Sequence, residues 1–176
     1  MGCGTSTPDK TKQRKEKLVT SVTLTSLVYG MPDSGQSFFI NQMKRNFSQF
    51  GSFSQIVYSF IPIGTSRDSR STWADELGKY ENLICAFFFA DVSSTGSSLL
   101  SIKTYNWLKS QIESKVTLKL VVQIRNPKDL TYFQFFQEEM GPGIEAITYS
   151  ESQPSDFQKL NDIILATSAS YRPQVD

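Results

Sequence analysis

Strand-like and helix-like segments alternate along most of the chain. Runs rich in β-branched and aromatic residues are followed by segments whose apolar residues recur at helical spacing. The pattern predicts strands near 20–29, 54–63, 82–91, 116–125 and 144–150, and helices near 35–47, 68–80, 97–114, 130–140 and 155–168. This order favours the α/β class, a mostly parallel sheet with helices on both faces. The run Leu83 to Ala90 lacks polar alternation, which is typical of a central strand buried on both sides.

The predicted helix at 97–114 carries a clear apolar face. Its apolar residues recur every three or four positions: Leu99, Leu100, Ile102, Tyr105, Leu108 and Ile112. We interpret them as a packing face and not as a binding stripe.

The first seventeen residues do not follow this pattern and predict a flexible basic arm, 1–17, ahead of one domain at 18–176. The opening Met-Gly-Cys-Gly-Thr-Ser fits M-G-x-x-x-S/T, the pattern for myristoylation of Gly2. One myristoyl chain binds membranes only marginally, so palmitoylation of Cys3 and the basic stretch 10–17 are expected to strengthen the attachment. These features predict a protein on the cytoplasmic face of a plasma membrane or endomembrane in a eukaryotic cell. The alternative is an unmodified, solvated tail.

Composition removes several classes of function. The 176 residues have a formal net charge of +1, so bulk charge gives no reason to expect nucleic acid as a partner. There are no histidines, which excludes histidine-activated nucleophiles, histidine general bases and histidine-containing metal sites. The two cysteines, Cys3 and Cys85, cannot build a disulfide framework or a cysteine zinc site.

A glycine pattern joins the first predicted strand to the first predicted helix. Residues 30–37 read GMPDSGQS, where a phosphate-binding loop has G-x-x-x-x-G-K-S/T. Such a loop wraps backbone N–H groups and a helix N-terminus around phosphate. The candidate phosphate contacts are Gly30, Asp33, Ser34, Gly35, Gln36 and Ser37, and the Ser37 hydroxyl is a weak candidate ligand of Mg²⁺. The lysine that would reach the phosphates is replaced by the neutral amide of Gln36.

This loop resembles that of Ras-type small G domains, closest to the α subunits of heterotrimeric G proteins and to Arf-like GTPases. The α-subunit loop reads G-A-G-E-S-G-K-S, and its helix continues K-Q-M-K where this chain has Asn41-Gln42-Met43-Lys44. Many α subunits also begin Met-Gly-Cys and carry both acyl groups. The resemblance implies a three-layer P-loop G-domain fold and GTP or GDP as the ligand.

A second match lies at 62–73, PIGTSRDSRSTW, against D-V-G-G-Q-R-S-E-R-K-K-W in α subunits. Four identities fall in register and imply a switch-like interaction surface: Gly64, Arg67, Arg70 and Trp73. The residue type of Trp73 also predicts a core anchor for the helix that follows. The metal-linked aspartate of the family is Pro62 here. Its γ-phosphate-binding glycine and its water-orienting glutamine are Thr65 and Ser66.

The guanine-reading motif N-K-x-D of the family corresponds to residues 126–129, Asn-Pro-Lys-Asp. The resemblance implies that Asn126 and Asp129 contact the base, the carboxylate accepting two N–H donors of guanine. Thr148 and Ser150 correspond to the last base-contacting loop, which reads T-C-A in α subunits. The alternative is that 126–129 is simply a turn, because Asn, Pro and Asp all favour turns.

The catalytic parts of the resemblance are degenerate. Fourteen residues lie between Phe47 and Pro62, and none is a threonine that would bind Mg²⁺ as the first switch does. Phosphoryl transfer depends almost entirely on positioning and charge neutralisation. The lysine, the switch residues that bind the metal and the glutamine that orients water supply both in the family, and this chain lacks all of them. The sequence therefore predicts a pseudo-GTPase with no catalytic residues and with Mg²⁺ doubtful. It is expected to signal or scaffold by binding protein effectors through segment 64–80 and the helix at 131–140.

Two alternatives stay open. An atypical switch would hold GTP or GDP weakly through the loop backbone, Ser37, Asn126 and Asp129, and would be at most a slow GTPase. In the other, the apolar run from Phe87 ends in a metal-linked Asp91, as in a P-loop ATPase or kinase of another kind.

Overall fold

The computed structural model describes residues 21–48 and 56–171. The strands are β1 (Val22–Gly30), β2 (Ile56–Pro62), β3 (Leu83–Ala90), β4 (Leu118–Gln123) and β5 (Ala146–Tyr149). The α-helices are α1 (Gln36–Ser48), α2 (Thr95–Ile112), α3 (Pro127–Met140) and α4 (Pro154–Ser170). Two 3₁₀ helices, Asp68–Thr72 and Asp75–Lys79, lie between β2 and β3. The predicted basic arm, with Gly2 and Cys3, lies outside the described residues.

The five strands form one parallel sheet in the order β2-β1-β3-β4-β5. All five predicted strands are present, and the predicted three-layer α/β class is confirmed. The strand order, with a glycine loop between β1 and α1, fits the predicted P-loop G-domain fold. The chain passes from β1 to β2 on one side and then to β3 on the other side of β1. The carboxyl ends of β1 and β3 therefore form the switch point at which open α/β sheets bind ligands.

The central strand β3 separates two apolar cores. Phe88 packs with α2, α3 and the 3₁₀ helices on one face, whereas Phe87 and Phe89 pack with α1 and α4 on the other. Every residue of β3 after Leu83 is buried, as its continuous apolar run predicts. Burying each phenylalanine stabilises the fold by about 1.5–3 kcal/mol, so β3 anchors both layers of helices.

The prediction of one helix at 68–80 is wrong, because the segment forms the two 3₁₀ helices instead. Its hydroxyl side chains bond to nearby backbone carbonyls. The hydroxyl of Ser69 donates to Gly64 O at 2.7 Å, and the hydroxyl of Thr72 donates to Ser69 O at 2.9 Å. Such local bonds compete with the α-helical pattern. The first 3₁₀ helix also buries no residue, so no apolar stripe favours a longer helix.

The packing face predicted for α2 is partly wrong. Tyr105, Leu108 and Ile112 are buried, but Leu99 and Leu100 are 40% and 46% exposed. The small side chains of Ser98, Ser101 and Thr104 take the other buried positions of α2. Ser101 Oγ accepts from Asp91 N at 3.0 Å and donates to Asp91 O at 3.1 Å. In the described ranges, no helix has the length and apolar character needed to cross a bilayer.

Candidate functional site

The glycine loop connects the carboxyl end of β1 to α1, where the fold places ligands. Asp33 and Gly35 have φ angles of 55° and 94°, so the chain turns through left-handed conformations. The buried Ser34 closes the turn, its hydroxyl donating to Met31 O at 2.6 Å. A Cβ at Gly35 would collide with the hydroxyl of Tyr149 and the carboxamide of Gln123. Glycine is therefore required here by both conformation and space.

Gln36, which replaces the expected lysine, folds back onto β1. It is 8% exposed, and its Nε2 donates to Val28 O at 3.2 Å. The same nitrogen lies beside Gly30, where an added Cβ would be 2.9 Å from it. The carboxamide thus bonds to the backbone of its own chain. It brings no positive charge to the mouth of the loop.

Side chains at the carboxyl ends of β4 and β5 form a hydrogen-bonded network that contacts the glycine loop. The guanidinium of Arg125 donates through Nη2 to Asp33 O and through Nε to Gln123 Oε1, the latter at 2.9 Å. Gln123 Nε2 then donates to Glu151 Oε1 at 2.5 Å. Sequence reasoning missed these residues because no motif marks them. Their position after parallel strands was the available signal, since the carboxyl ends of such strands share one edge of the sheet.

Tyr149 makes a further contact to the loop. Its hydroxyl donates to Gly35 O at 3.1 Å. Burial, followed by the nearby Glu151 carboxylate, raises the pKa of Tyr149, so the hydroxyl keeps the proton that it donates. The loop is consequently fixed from β5 as well as from β4.

Asn126 and Asp129, the predicted base contacts, form the N-terminal cap of α3. Asn126 Oδ1 accepts from Lys128 N at 3.0 Å. Asp129 is buried, and its Oδ2 accepts from Arg125 N at 2.8 Å and from Asn126 N at 3.2 Å. Pro127 occupies the first turn, as is usual at a helix start. This capping box engages both side chains and begins α3 three residues before the predicted start.

A groove of about 390 Å³ lies beside this cap, between the ends of β4 and β5. Its lining includes three of the predicted base contacts, Asn126, Thr148 and Ser150. Ser150 is held by its backbone N–H, which donates to Asp156 Oδ2 at 3.1 Å. Asp129 lies instead on a separate cavity of about 60 Å³ that also borders Asp91. The structure therefore gathers three of these four residues around one space and places the Asp129 carboxylate, which was predicted to contact guanine, outside it.

The residues available for Mg²⁺ are a poor match to that ion. Ser37 is exposed at the second residue of α1, and Pro62 supplies no carboxylate. The Asp91 carboxylate accepts from Ser93 N at 3.0 Å. In residues 21–48 and 56–171, no three His, Cys, Asp or Glu residues are grouped as metal ligands would be. Mg²⁺ prefers six oxygens in an octahedron, so one exposed hydroxyl does not form its site.

The predicted switch-like surface needs one correction, because Trp73 is fully buried and does not belong to it. The indole N–H donates to Gly64 O at 2.8 Å, and Tyr29 Oη donates to Trp73 O at 3.0 Å. Arg67 is exposed, and the half-buried Arg70 lies over the Trp73 ring with its Cζ 6.0 Å from the centroid. Trp73 thus anchors segment 64–73, while Gly64, Arg67 and Arg70 remain at the surface.

Comparison with known proteins finds a solved structure with a similar fold, but it does not assign the chain to a family. No family model and no curated protein sequence matches the chain. One of the matching solved structures is translation elongation factor SelB from Methanococcus maripaludis in its apo form. The match has a TM-score of 0.48 and 10% sequence identity, and it covers 86% of this chain. It covers 34% of the SelB chain, so this protein spans about a third of the length of that factor.

Proposed function

We propose that this chain is a G-domain-like signalling or scaffolding protein, anchored to a membrane, that hydrolyses little or no GTP. One observation carries the proposal: three side chains that the sequence predicts as nucleotide contacts, and the arginine beside the loop, already bond to the protein's own backbone. Gln36 binds a β1 carbonyl, Arg125 binds a loop carbonyl, and Asn126 and Asp129 cap α3. A ligand that contacted these four side chains would therefore compete with bonds that they already make within the protein.

Electrostatics supports the same proposal. Nucleotide phosphates bring several negative charges, which phosphoryl-transfer sites neutralise with a lysine and a metal ion. This loop lacks the lysine. The carboxylate of Glu151, a negative charge, belongs to the side-chain network that contacts the loop. Arg125 is the cation bonded to the loop, and its guanidinium is directed at Asp33 O. Transition-state charge would therefore be poorly stabilised even if a nucleotide bound.

Titration with mant-GTP and mant-GDP tests the loss of nucleotide function. We expect no saturable fluorescence change at micromolar protein and no phosphate release above the buffer rate. The matched variant is Gln36→Lys, which restores a cation at the loop without touching the network from β4 and β5. Saturable binding with turnover by the unmodified protein would overturn the proposal.

Membrane anchoring rests on the arm at 1–17 and is tested separately. Co-expression with an N-myristoyltransferase should add myristate, and a Gly2→Ala variant should remain unmodified by intact-mass measurement. In eukaryotic cells, we expect the parent protein in the membrane fraction and both Gly2→Ala and Cys3→Ser largely in the soluble fraction. Equal fractionation of all three would contradict the lipid anchor.

A second candidate function, a weak GTP or GDP switch, is favoured by the groove of about 390 Å³ beside Asn126, Thr148 and Ser150. Its volume falls within the range of small-molecule sites. Heat release of bound small molecules from the purified protein, followed by ion-exchange chromatography, distinguishes the two candidates. A guanine nucleotide recovered near one equivalent supports the switch, and its absence supports the pseudo-GTPase.

A further inference from the structure

A cavity lies at the amino ends of β4 and β5, at the opposite end of the sheet from the glycine loop. It measures about 340 Å³, which falls within the range of small-molecule sites. Its lining comes from the carboxyl-terminal part of α2, the first two residues of β4, residues 143–145, Ile147 of β5 and Ile163 of α4. It shares no lining residue with the groove beside Asn126. The cavity is therefore separate from the candidate nucleotide site.

This cavity passes from one face of the sheet to the other. Leu118 and Ile144 pack against the core that contains α2, whereas Ile147 packs against the core of α1 and α4. Successive side chains of a strand point to opposite faces, so Lys119, which follows Leu118, lies on the α4 face. The strands β4 and β5 begin to pair one residue after Lys119, and the passage lies beside that point. A slender ligand therefore fits this space better than a compact one.

The walls of the cavity are largely aliphatic. Leu118, Ile144, Ile147 and Ile163 line it, and each of them is only partly buried. An apolar molecule in the cavity would remove this aliphatic surface from water, which favours binding.

Tyr105 brings an unused hydrogen-bond donor to the α2 side of the cavity. The residue is 4% exposed, and its hydroxyl forms no hydrogen bond with the rest of the described chain. The hydroxyls of two other buried tyrosines, Tyr29 and Tyr149, both donate to backbone carbonyls. Burial, followed by the Glu113 carboxylate, raises the pKa of Tyr105, so its hydroxyl keeps the proton. A donor left without an acceptor at a buried position is costly, and an oxygen atom of a ligand would satisfy it.

Lys119 brings a positive charge to the α4 side of the cavity. The residue is half-buried, and within residues 21–48 and 56–171 it forms no ion pair. The other lysine of the lining, Lys109, pairs with Glu113 at 3.5 Å. Glu145 is exposed at the rim. The ammonium of Lys119 is therefore the cation that the carboxylate of a ligand can use.

We propose that this cavity binds a slender apolar carboxylate that carries a second, neutral oxygen, such as a hydroxy fatty acid of medium chain length. The hydrocarbon chain packs on Leu118, Ile144 and Ile147, and the carboxylate accepts from Lys119 on the α4 side. The neutral oxygen accepts from Tyr105 on the α2 side, where the Glu113 carboxylate would repel a second negative charge. The proposal goes beyond the proposed function and does not depend on it, since the cavity is separate from the nucleotide groove.

The test is a titration of the full, unacylated chain with ω-hydroxyoctanoate, followed by amide chemical shifts in ¹H–¹⁵N NMR spectra. We expect saturable shifts at residues 116–120 and 143–147 and a dissociation constant below about 1 mM. Octanoate, which lacks the hydroxyl, should bind about fivefold more weakly, since a typical hydrogen bond contributes that much. The neutral α,ω-octanediol, which lacks the carboxylate, should bind about tenfold more weakly.

Two variants assign the ends of the ligand. Lys119→Gln should weaken binding of ω-hydroxyoctanoate about tenfold and leave binding of the diol unchanged. Tyr105→Phe should lower the affinity for ω-hydroxyoctanoate to that for octanoate, while octanoate itself binds as to the parent. Glu145→Gln should strengthen binding of both carboxylates, because it removes a negative charge from the rim. Lys115→Gln is the matched control, since Lys115 is exposed between α2 and β4 but does not line the cavity, and it should change nothing.

Four results would overturn the proposal. The first is a titration without saturation, and the second is equal affinity for ω-hydroxyoctanoate and the diol. The third is binding that Lys119→Gln leaves unchanged, or shifts confined to residues 30–37 at the glycine loop. The fourth is tighter binding of octylammonium than of octanoate, which would show that the glutamates govern the cavity. Titration with mant-GTP remains a separate readout, so nucleotide turnover would refute the pseudo-GTPase and leave this site standing.

Discussion

Replacement of Asp129 separates a structural role from a nucleotide-binding role for residues 126–129. The Asp129 carboxylate accepts from the backbone N–H groups of Arg125 and Asn126 within one capping box. Loss of a capping side chain costs about 1 kcal/mol, and an N–H group left without a partner costs about 1–3 kcal/mol when buried. Arg125 and Asn126 are exposed residues, so water can reach part of the freed backbone. We therefore expect Asp129→Ala to lower the free energy of unfolding by about 2 kcal/mol.

Urea unfolding followed by circular dichroism measures this change. Asp129→Asn keeps one acceptor oxygen and should lose about 1 kcal/mol, because the charge assistance is gone while one bond remains. Lys128→Ala is the matched control, since only the Lys128 backbone takes part in the cap, and it should stay within about 0.5 kcal/mol of the parent. If Asp129→Ala unfolded like Lys128→Ala, the carboxylate would not be a cap and a role in reading a base would regain support.

Two further predictions concern the loop and the core. Tyr149→Phe removes the bond to Gly35 O and should cost about 1 kcal/mol in the same unfolding assay, since a typical hydrogen bond contributes that much; no change would show that β5 does not fix the loop. Burial raises the pKa of the Cys85 thiol from 9.0 to about 11, so in a Cys3→Ser background the native protein should not react with a disulfide reagent at pH 8. Because the pKa of the thiol is higher in the folded than in the unfolded protein, the contribution of the buried neutral thiol to the free energy of unfolding is complete below pH 9. It falls as the pH rises from 9 toward 11. Fast labelling of Cys85, or unfolding free energy that is flat over this window, would contradict its burial.

The sequence predicted the sheet well because strand periodicity is local. All five strands occur where apolar and β-branched runs lie, and Leu83 to Ala90 is the buried centre that its lack of alternation indicates. The glycine pattern likewise located the turn between β1 and α1, because Gly35 needs its positive φ whatever the loop binds. Prediction failed at 68–80, where serine and threonine hydroxyls bond to nearby carbonyls and replace one helix with two 3₁₀ helices.

The sequence by itself determined the order of elements, the position of the glycine loop and the absence of a lysine from it, since each depends on residues close together in the chain. Only the tertiary structure decided what surrounds that loop. Arg125 reaches Asp33 across 92 positions of sequence, and Tyr149 reaches Gly35 across 114. No local pattern encodes such pairs, because parallel strands bring distant carboxyl ends to one edge.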